Sequence, residues 1–251
     1  MTPAALIFDI DGTFSETEEL HRQAFNETFA DVGLPWHWDR ELYRKLLDVA
    51  GGKERLHYYL DGFDPPSAAG VAGRVAALHA AKTKRYTALV DAGAARLRTG
   101  VGRLIGEARG QGVALAVATT TSLANVEALL RATLGQDGLD AFATIGAGDM
   151  VGAKKPAPDI YRLVLECLAV PAGRCIAFED SANGLAAALA SGVPTVVTPG
   201  VYTDDQAFPG ALAVLSDLGE PHEPYRHLAG AGADGGFVTL AALASWSAAR
   251  G

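Results

Sequence analysis

The sequence predicts an α/β fold: an open parallel sheet with helices on both faces, and a smaller all-helical unit inserted after the first strand. Three observations carry this. The apolar run Leu6-Ile7-Phe8 opens the chain and ends abruptly in Asp9-Ile10-Asp11-Gly12-Thr13. Between Thr17 and Val90 the apolar spacing is helical and no strand pattern interrupts it. From Gly100 onward, helical stretches alternate with short apolar runs, the signature of strands joined by right-handed helical crossovers.

Taken in order, residues 17 to 32 predict an amphipathic helix with Leu20, Ala24, Phe25, Thr28 and Phe29 on one face, closed by Gly33 and Pro35. Helical patterns continue over 39 to 60 and 66 to 89. There follow a helix (101 to 110), a strand (113 to 118), a helix (122 to 133), a strand (144 to 145), a helix (158 to 168), a strand (175 to 178), a helix (182 to 191) and a strand (194 to 197). The first strand belongs to the same sheet, so residues 1–14 and 89–251 form a Rossmann-like core and 15–88 an inserted helical cap. The tail from Gly219 is rich in Gly, Ala and Pro before a short helical pattern at 237 to 249, and no chemistry attaches to it.

With 251 residues, 49% of them hydrophobic, the chain buries a full core. A net charge of -8 argues against nucleic acid or an anionic membrane as principal partner, so a bound phosphate must meet locally concentrated positive charge. The two cysteines, Cys167 and Cys175, offer neither a disulfide framework nor a zinc cluster. A strand at the very start leaves no room for a leader, and no apolar stretch is long enough to span a bilayer, so a soluble protein or a mature chain with its leader removed is expected; the cysteine usage fits the cytoplasm, and a monomer is expected.

Open parallel sheets bind ligands at the carboxyl ends of their strands, and three such ends here are polar. Asp9 and Asp11 follow the first strand; as the chain turns at Gly12 their carboxyls need not face each other, which frees one as a nucleophile and the other as a proton carrier. Such aspartates also serve as turn or helix-cap residues. Thr119-Thr120-Thr121-Ser122 supplies a hydroxyl and a turn of backbone N–H groups suited to phosphate, or an ordinary helix cap. Glu179-Asp180 suits a hard divalent cation beside Asp9, or caps the helix near Ser181. In Lys154-Lys155-Pro156-Ala157-Pro158-Asp159 the prolines stiffen the backbone around Lys155, whose ammonium is placed to neutralise nucleophile and phosphate together.

These four elements, in this order, resemble the haloacid dehalogenase superfamily of phosphohydrolases and phosphomutases, and Lys155-Pro156-Ala157-Pro158-Asp159 with Phe178-Glu179-Asp180-Ser181 resembles its β-phosphoglucomutase-like branch. Gly51-Gly52-Lys53-Glu54-Arg55 and Glu16-Thr17-Glu18-Glu19-Leu20-His21 are similar to CbbY-type proteins, which hydrolyse the Rubisco inhibitor xylulose-1,5-bisphosphate. The resemblance implies a helical cap and catalysis by Asp9 as nucleophile, Asp11 as acid and base, Thr119 and Lys155. It implies Mg²⁺ held by Asp9, the Asp11 carbonyl and Asp180 with Glu179 nearby, and a small phosphorylated sugar as substrate. Asp11 is expected to be protonated before turnover. Lys53, Arg55 and Thr120 are expected to bind substrate phosphates, and Glu16 and His21 sugar hydroxyls. Lys82, Lys84 and Arg85 are placed on the surface, and Trp36 and Trp38 in the cap core. A sugar phosphomutase shares every one of the core residues, and a catalytically silent phosphate-binding module would not need Asp11.

Overall fold

The four side chains of β1 (Ala5–Phe8) are all apolar and all buried, so the strand has no wet face and takes an interior place in the sheet. Alternation divides them: Leu6 and Phe8 join one apolar layer, Ala5 and Ile7 the other. The computed structural model describes residues 1–249; the last two residues of the expected core segment lie outside that range.

The helices after β1 are α1 (Glu18–Asp31), α2 (Arg40–Leu46), α3 (Gly52–Phe63), α4 (Ala68–Val71) and α5 (Val75–Asp91). Then come α6 (Val101–Gly110), β2 (Ala114–Ala118), α7 (Leu123–Leu134), β3 (Thr144–Gly146), α8 (Asp159–Leu168), β4 (Cys175–Glu179), α9 (Ala182–Ala190), β5 (Thr195–Val197), β6 (Ala213–Leu215), β7 (His227–Gly230) and α10 (Leu240–Ala248). The strand order is β3-β2-β1-β4-β5-β6-β7, every pair parallel except β6 with β7. Helices α6, α7 and α10 pack with the Leu6/Phe8 layer, α8 and α9 with the Ala5/Ile7 layer, which gives the three-layer α/β architecture.

Three sequence expectations change. The pattern over 39 to 60 is two helices, not one: Asp39 caps α2 by accepting from Leu42 N at 2.8 Å, and the chain turns at Leu47–Gly51 before α3. Helix α5 runs to Asp91, past the expected end at 89. Strands β6 and β7 were not expected; β6 has three residues and β7 is an exposed antiparallel edge, so neither produces a clear period. The tail folds back over α6, where Arg103 donates to the carbonyls of Val238 (2.7 Å) and Gly219 (2.8 Å).

Helices α1 to α5 enclose a separate apolar cluster, which Tyr202 also enters, with Trp36 and Trp38 both inside it against Phe29, and no strand lies among these helices. Between this helical unit and the carboxyl end of the sheet lies a cavity of about 490 Å³.

Candidate active site

Phe8 stacks on Phe178 of β4 at 4.6 Å and meets Phe14 edge-on at 5.9 Å, so apolar packing fixes the chain on both sides of the Asp9–Thr13 turn. Within that turn Gly12 has φ +80°, and a Cβ there would lie 2.3 Å from Oδ2 of Asp180. Only glycine permits both the backbone angle and the approach of that carboxylate. Arg98, in the irregular segment returning from the helical unit, locks the same region: its guanidinium donates to the carbonyls of Gly12, Thr198 (2.6 Å), Pro199 (2.9 Å) and Ser216 (2.8 Å).

At the cavity floor, the buried Lys155 donates to Oδ1 of Asp9 at 2.7 Å and to Oε1 of Glu179 at 2.6 Å. The Tyr161 hydroxyl, on α8, donates to the same Glu179 oxygen at 2.5 Å. Burial disfavours the charge on Lys155, but the attraction of Asp9 and Glu179 outweighs it and raises its pKa. Burial raises the pKa of Asp9 despite the nearby ammonium, pushes Glu179 up to about 7, and, with the charges of Asp9 and Glu179, raises Asp180 well above the carboxylate range. Asp9, Glu179 and Asp180 each offer an oxygen within 4.8 Å of the others, and Glu179 Oε2 is buried without a partner among the described residues. Three buried carboxylates facing one ammonium leave uncompensated negative charge, which a divalent cation would balance; the donor set fits a hard metal ion.

Asp11 stands apart from that cluster. Its Oδ1 accepts from the Thr17 hydroxyl at 2.5 Å and pairs with Nε2 of His21 at 2.8 Å, while Nδ1 of His21 meets the Lys82 ammonium. Burial opposes ionisation, but His21, Thr17 and Lys82 together hold the Asp11 carboxyl well below its ordinary pKa. In this arrangement Asp11 is a carboxylate, not the protonated acid expected. The His21 ring, stacked on Tyr86 at 4.0 Å with both nitrogens engaged, has no nitrogen left for a sugar hydroxyl. Lys82, expected on the surface, is buried, and burial lowers its pKa to about 7; Lys84 and Arg85 are exposed. The periodicity carries that signal, because Val75, Leu78, Lys82, Tyr86 and Val90 share the buried face of α5.

Thr119, at the end of β2, is buried and accepts from Thr121 N at 3.3 Å; Thr119 and Thr120 both line the cavity. From the helical unit, Lys53 and Arg55 line it too. Lys53 pairs with Asp149 of the core at 3.1 Å. Three donors of Arg55 are already committed, to the carbonyls of Leu46 (3.2 Å) and Val49 (3.4 Å) and to the Tyr43 hydroxyl (3.1 Å), so its free capacity for a phosphate is smaller than the sequence suggests. Glu16 is not in the cavity: its carboxylate lies against Gly200, near Arg98. Glu18, which the sequence singles out only as part of the Glu16–His21 motif, lines it, as do His79, Tyr202 and Thr203, which do not stand out in the sequence.

A buried aspartate at a strand end, paired with a fixed lysine, a cation-ready carboxylate cluster and a hydroxyl-bearing turn form a centre suited to phosphoryl transfer. A model of the haloacid dehalogenase-like hydrolases matches residues 3–192. The chain belongs to that family. It is 52% identical to the plasmid-encoded protein CbbY of Cupriavidus necator over 245 residues, covering 96% of each chain. Among solved structures it is similar to CbbY from Rhodobacter sphaeroides in complex with phosphate (52% identity, TM-score 0.81, 86% of this chain and 94% of that one). It is also similar to an Asp-to-Asn mutant of CbbY from that organism in complex with xylulose-(1,5)bisphosphate (51% identity, TM-score 0.82, 87% and 96%). A β-phosphoglucomutase from Clostridium difficile, at 20% identity and TM-score 0.70 over 84% and 90%, shares the fold. The family and these relatives make the chain a phosphoric monoester hydrolase.

Proposed function

We propose that the chain is a Mg²⁺-dependent phosphatase that hydrolyses xylulose-1,5-bisphosphate to xylulose 5-phosphate, acting as a monomer in the cytoplasm, with the helical unit as a cap over the core. The observation that carries this is the layout of the cavity. Asp9 and Lys155 lie at the core end and Lys53, Arg55 and Lys82 on the cap side, so one small molecule with a phosphate at each end meets a cation at both. The similarity to a protein crystallised with that bisphosphate supports the same reading. Two free thiols agree with a reducing compartment.

In this mechanism an Asp9 carboxylate oxygen attacks phosphorus as the bond to the sugar oxygen breaks, and the departing oxygen takes a proton from Asp11. Because Asp11 is ionised here, its proton must first arrive through His21: Lys82 gives a proton to Nδ1 as Nε2 passes its own to Asp11. Water then attacks phosphorus, Asp11 takes the water's proton, and the acyl–phosphate bond breaks to restore Asp9. Lys155 neutralises the equatorial oxygens, and Thr119 with the Thr120 turn donates to them. Asp9, Asp180, Glu179 and the Asp11 carbonyl would hold Mg²⁺, which supplies charge neutralisation at the transferring group.

The test is phosphate release, with Mg²⁺, from xylulose-1,5-bisphosphate, pentose monophosphates and hexose phosphates. A clear preference for the bisphosphate is expected. Isomerisation of a sugar monophosphate without phosphate release would instead make the chain a mutase.

A further inference from the structure

The loop after β5, Pro199–Ala207, is rooted in the core but ends in the cap. On the core side, the Ala182 N–H at the start of α9 donates to Oε1 of Gln206 at 2.8 Å, and Thr203, buried, lies 3.5 Å from Oδ2 of Asp180. Arg98 grips the Pro199 carbonyl. Yet Tyr202, 5% exposed, belongs to the cap's apolar cluster, the one core residue within it. Its ring meets Tyr43 of α2 edge-on at 5.5 Å, and its hydroxyl donates to Glu19 of α1. Arg44 of α2 closes over the outside, pairing with Asp204 (2.9 Å) and Asp205 (3.0 Å), donating to the Val201 carbonyl and lying 5.8 Å above the Tyr202 ring.

This places Tyr202 between the two ends of the cavity. The Tyr43 ring it packs against carries the hydroxyl that accepts from Arg55, while the next residue along the loop touches Asp180. An apolar anchor buried in the opposite unit fixes a distance more firmly than rim ion pairs, which solvent screens. The contact belongs to neither linker, and it is an apolar one among the non-covalent connections between cap and core, beside polar ones such as Lys53–Asp149.

We propose that Tyr202 is a specificity-determining positioning residue: seated in the cap, it sets the span from Asp9 to the cap cations, and so the length of substrate that engages both. The inference rests on the bisphosphate reading only for the identity of that substrate. Substrates that reach the cap gain from the fixed span; short phosphate esters that contact only the core do not.

Two measurements decide it. Spin labels on the exposed Cys167 of α8 and on Tyr58→Cys in exposed α3 report the cap–core distance without substrate. Tyr202→Ala should broaden the distribution toward longer distances. Arg44→Gln, a surface change, should do so less, and Tyr202→Phe, which keeps the ring against Tyr43, should stay near wild type. In kinetics, Tyr202→Ala should lower kcat/KM for xylulose-1,5-bisphosphate by about tenfold or more, chiefly through KM, and leave p-nitrophenyl phosphate turnover within about twofold. An unchanged distance distribution, or equal losses on both substrates, overturns the proposal. Where wild type shows no preference for the bisphosphate, the substrate reading fails, and the distance measurement still decides whether Tyr202 holds the cap.

Discussion

The ammonium of Lys155 lies 2.7 Å from Oδ1 of Asp9, both groups buried, so the carboxylate proposed as nucleophile and its counter-charge are a preformed pair rather than one assembled by the substrate. Replacing Lys155 by Met leaves Asp9 and Glu179 facing each other without compensation. Loss of one partner of a buried pair costs about 3–5 kcal/mol. Lys155→Met should therefore lower stability in metal-free buffer by that order, measured by denaturant titration, and recover part of it on adding Mg²⁺, which offsets the same charge without restoring turnover.

Asp11 is tied to Thr17 and His21 and lies outside the carboxylate cluster, which sets the proposed proton carrier apart from the proposed cation site. Asp11→Asn should reduce kcat for an alkyl phosphate by about 10² to 10⁴. Mg²⁺ affinity, measured by calorimetry, should change little, because the Asp11 backbone carbonyl remains in place.

Lys82 is buried with its pKa lowered to about 7 from the ordinary 10.5. Below about pH 7 it is charged in folded and unfolded chains alike. Between about 7 and 10.5 only the unfolded chain keeps the proton, so this residue makes stability rise with pH across that window. Melting curves should show wild type gaining on Lys82→Met from pH 7 to pH 10; a constant difference would contradict the burial of a titrating lysine.

Gly184 of α9 has no room for a side chain: a Cβ would sit 1.8 Å from Oε2 of Glu179. Gly184→Ala should push the Glu179 carboxylate out of place, at a cost of about 1–3 kcal/mol in thermal unfolding, and weaken Mg²⁺ binding alongside it.

Much of this was legible in the sequence because the core is periodic. Leu6-Ile7-Phe8 and Cys175-Ile176-Ala177-Phe178 are continuous apolar runs that only a doubly covered parallel strand tolerates, and the polar residues just beyond them converge at one end of the sheet. The cap was less legible. Lys82 and His21 are polar residues on buried helix faces, excused by one another and by Asp11, and a partner distant in sequence leaves no local trace. Tyr202 lies in an irregular loop, where no period announces which unit receives the side chain. Glu16, one residue before Thr17, faces Arg98 because the chain is still an irregular linker there, before the helical period begins at Glu18.

Attack by Asp9 as the proposed covalent nucleophile leaves its mark in the stereochemical course at phosphorus, even when the intermediate does not accumulate. A chiral, isotopically labelled thiophosphate ester of the substrate, hydrolysed in water of a different oxygen isotope, yields thiophosphate whose configuration is readable by NMR. Two successive in-line displacements, first by Asp9 and then by water, give net retention, with Asp9→Asn inactive on the same ester. Inversion, the mark of a single direct attack by water, would contradict the mechanism.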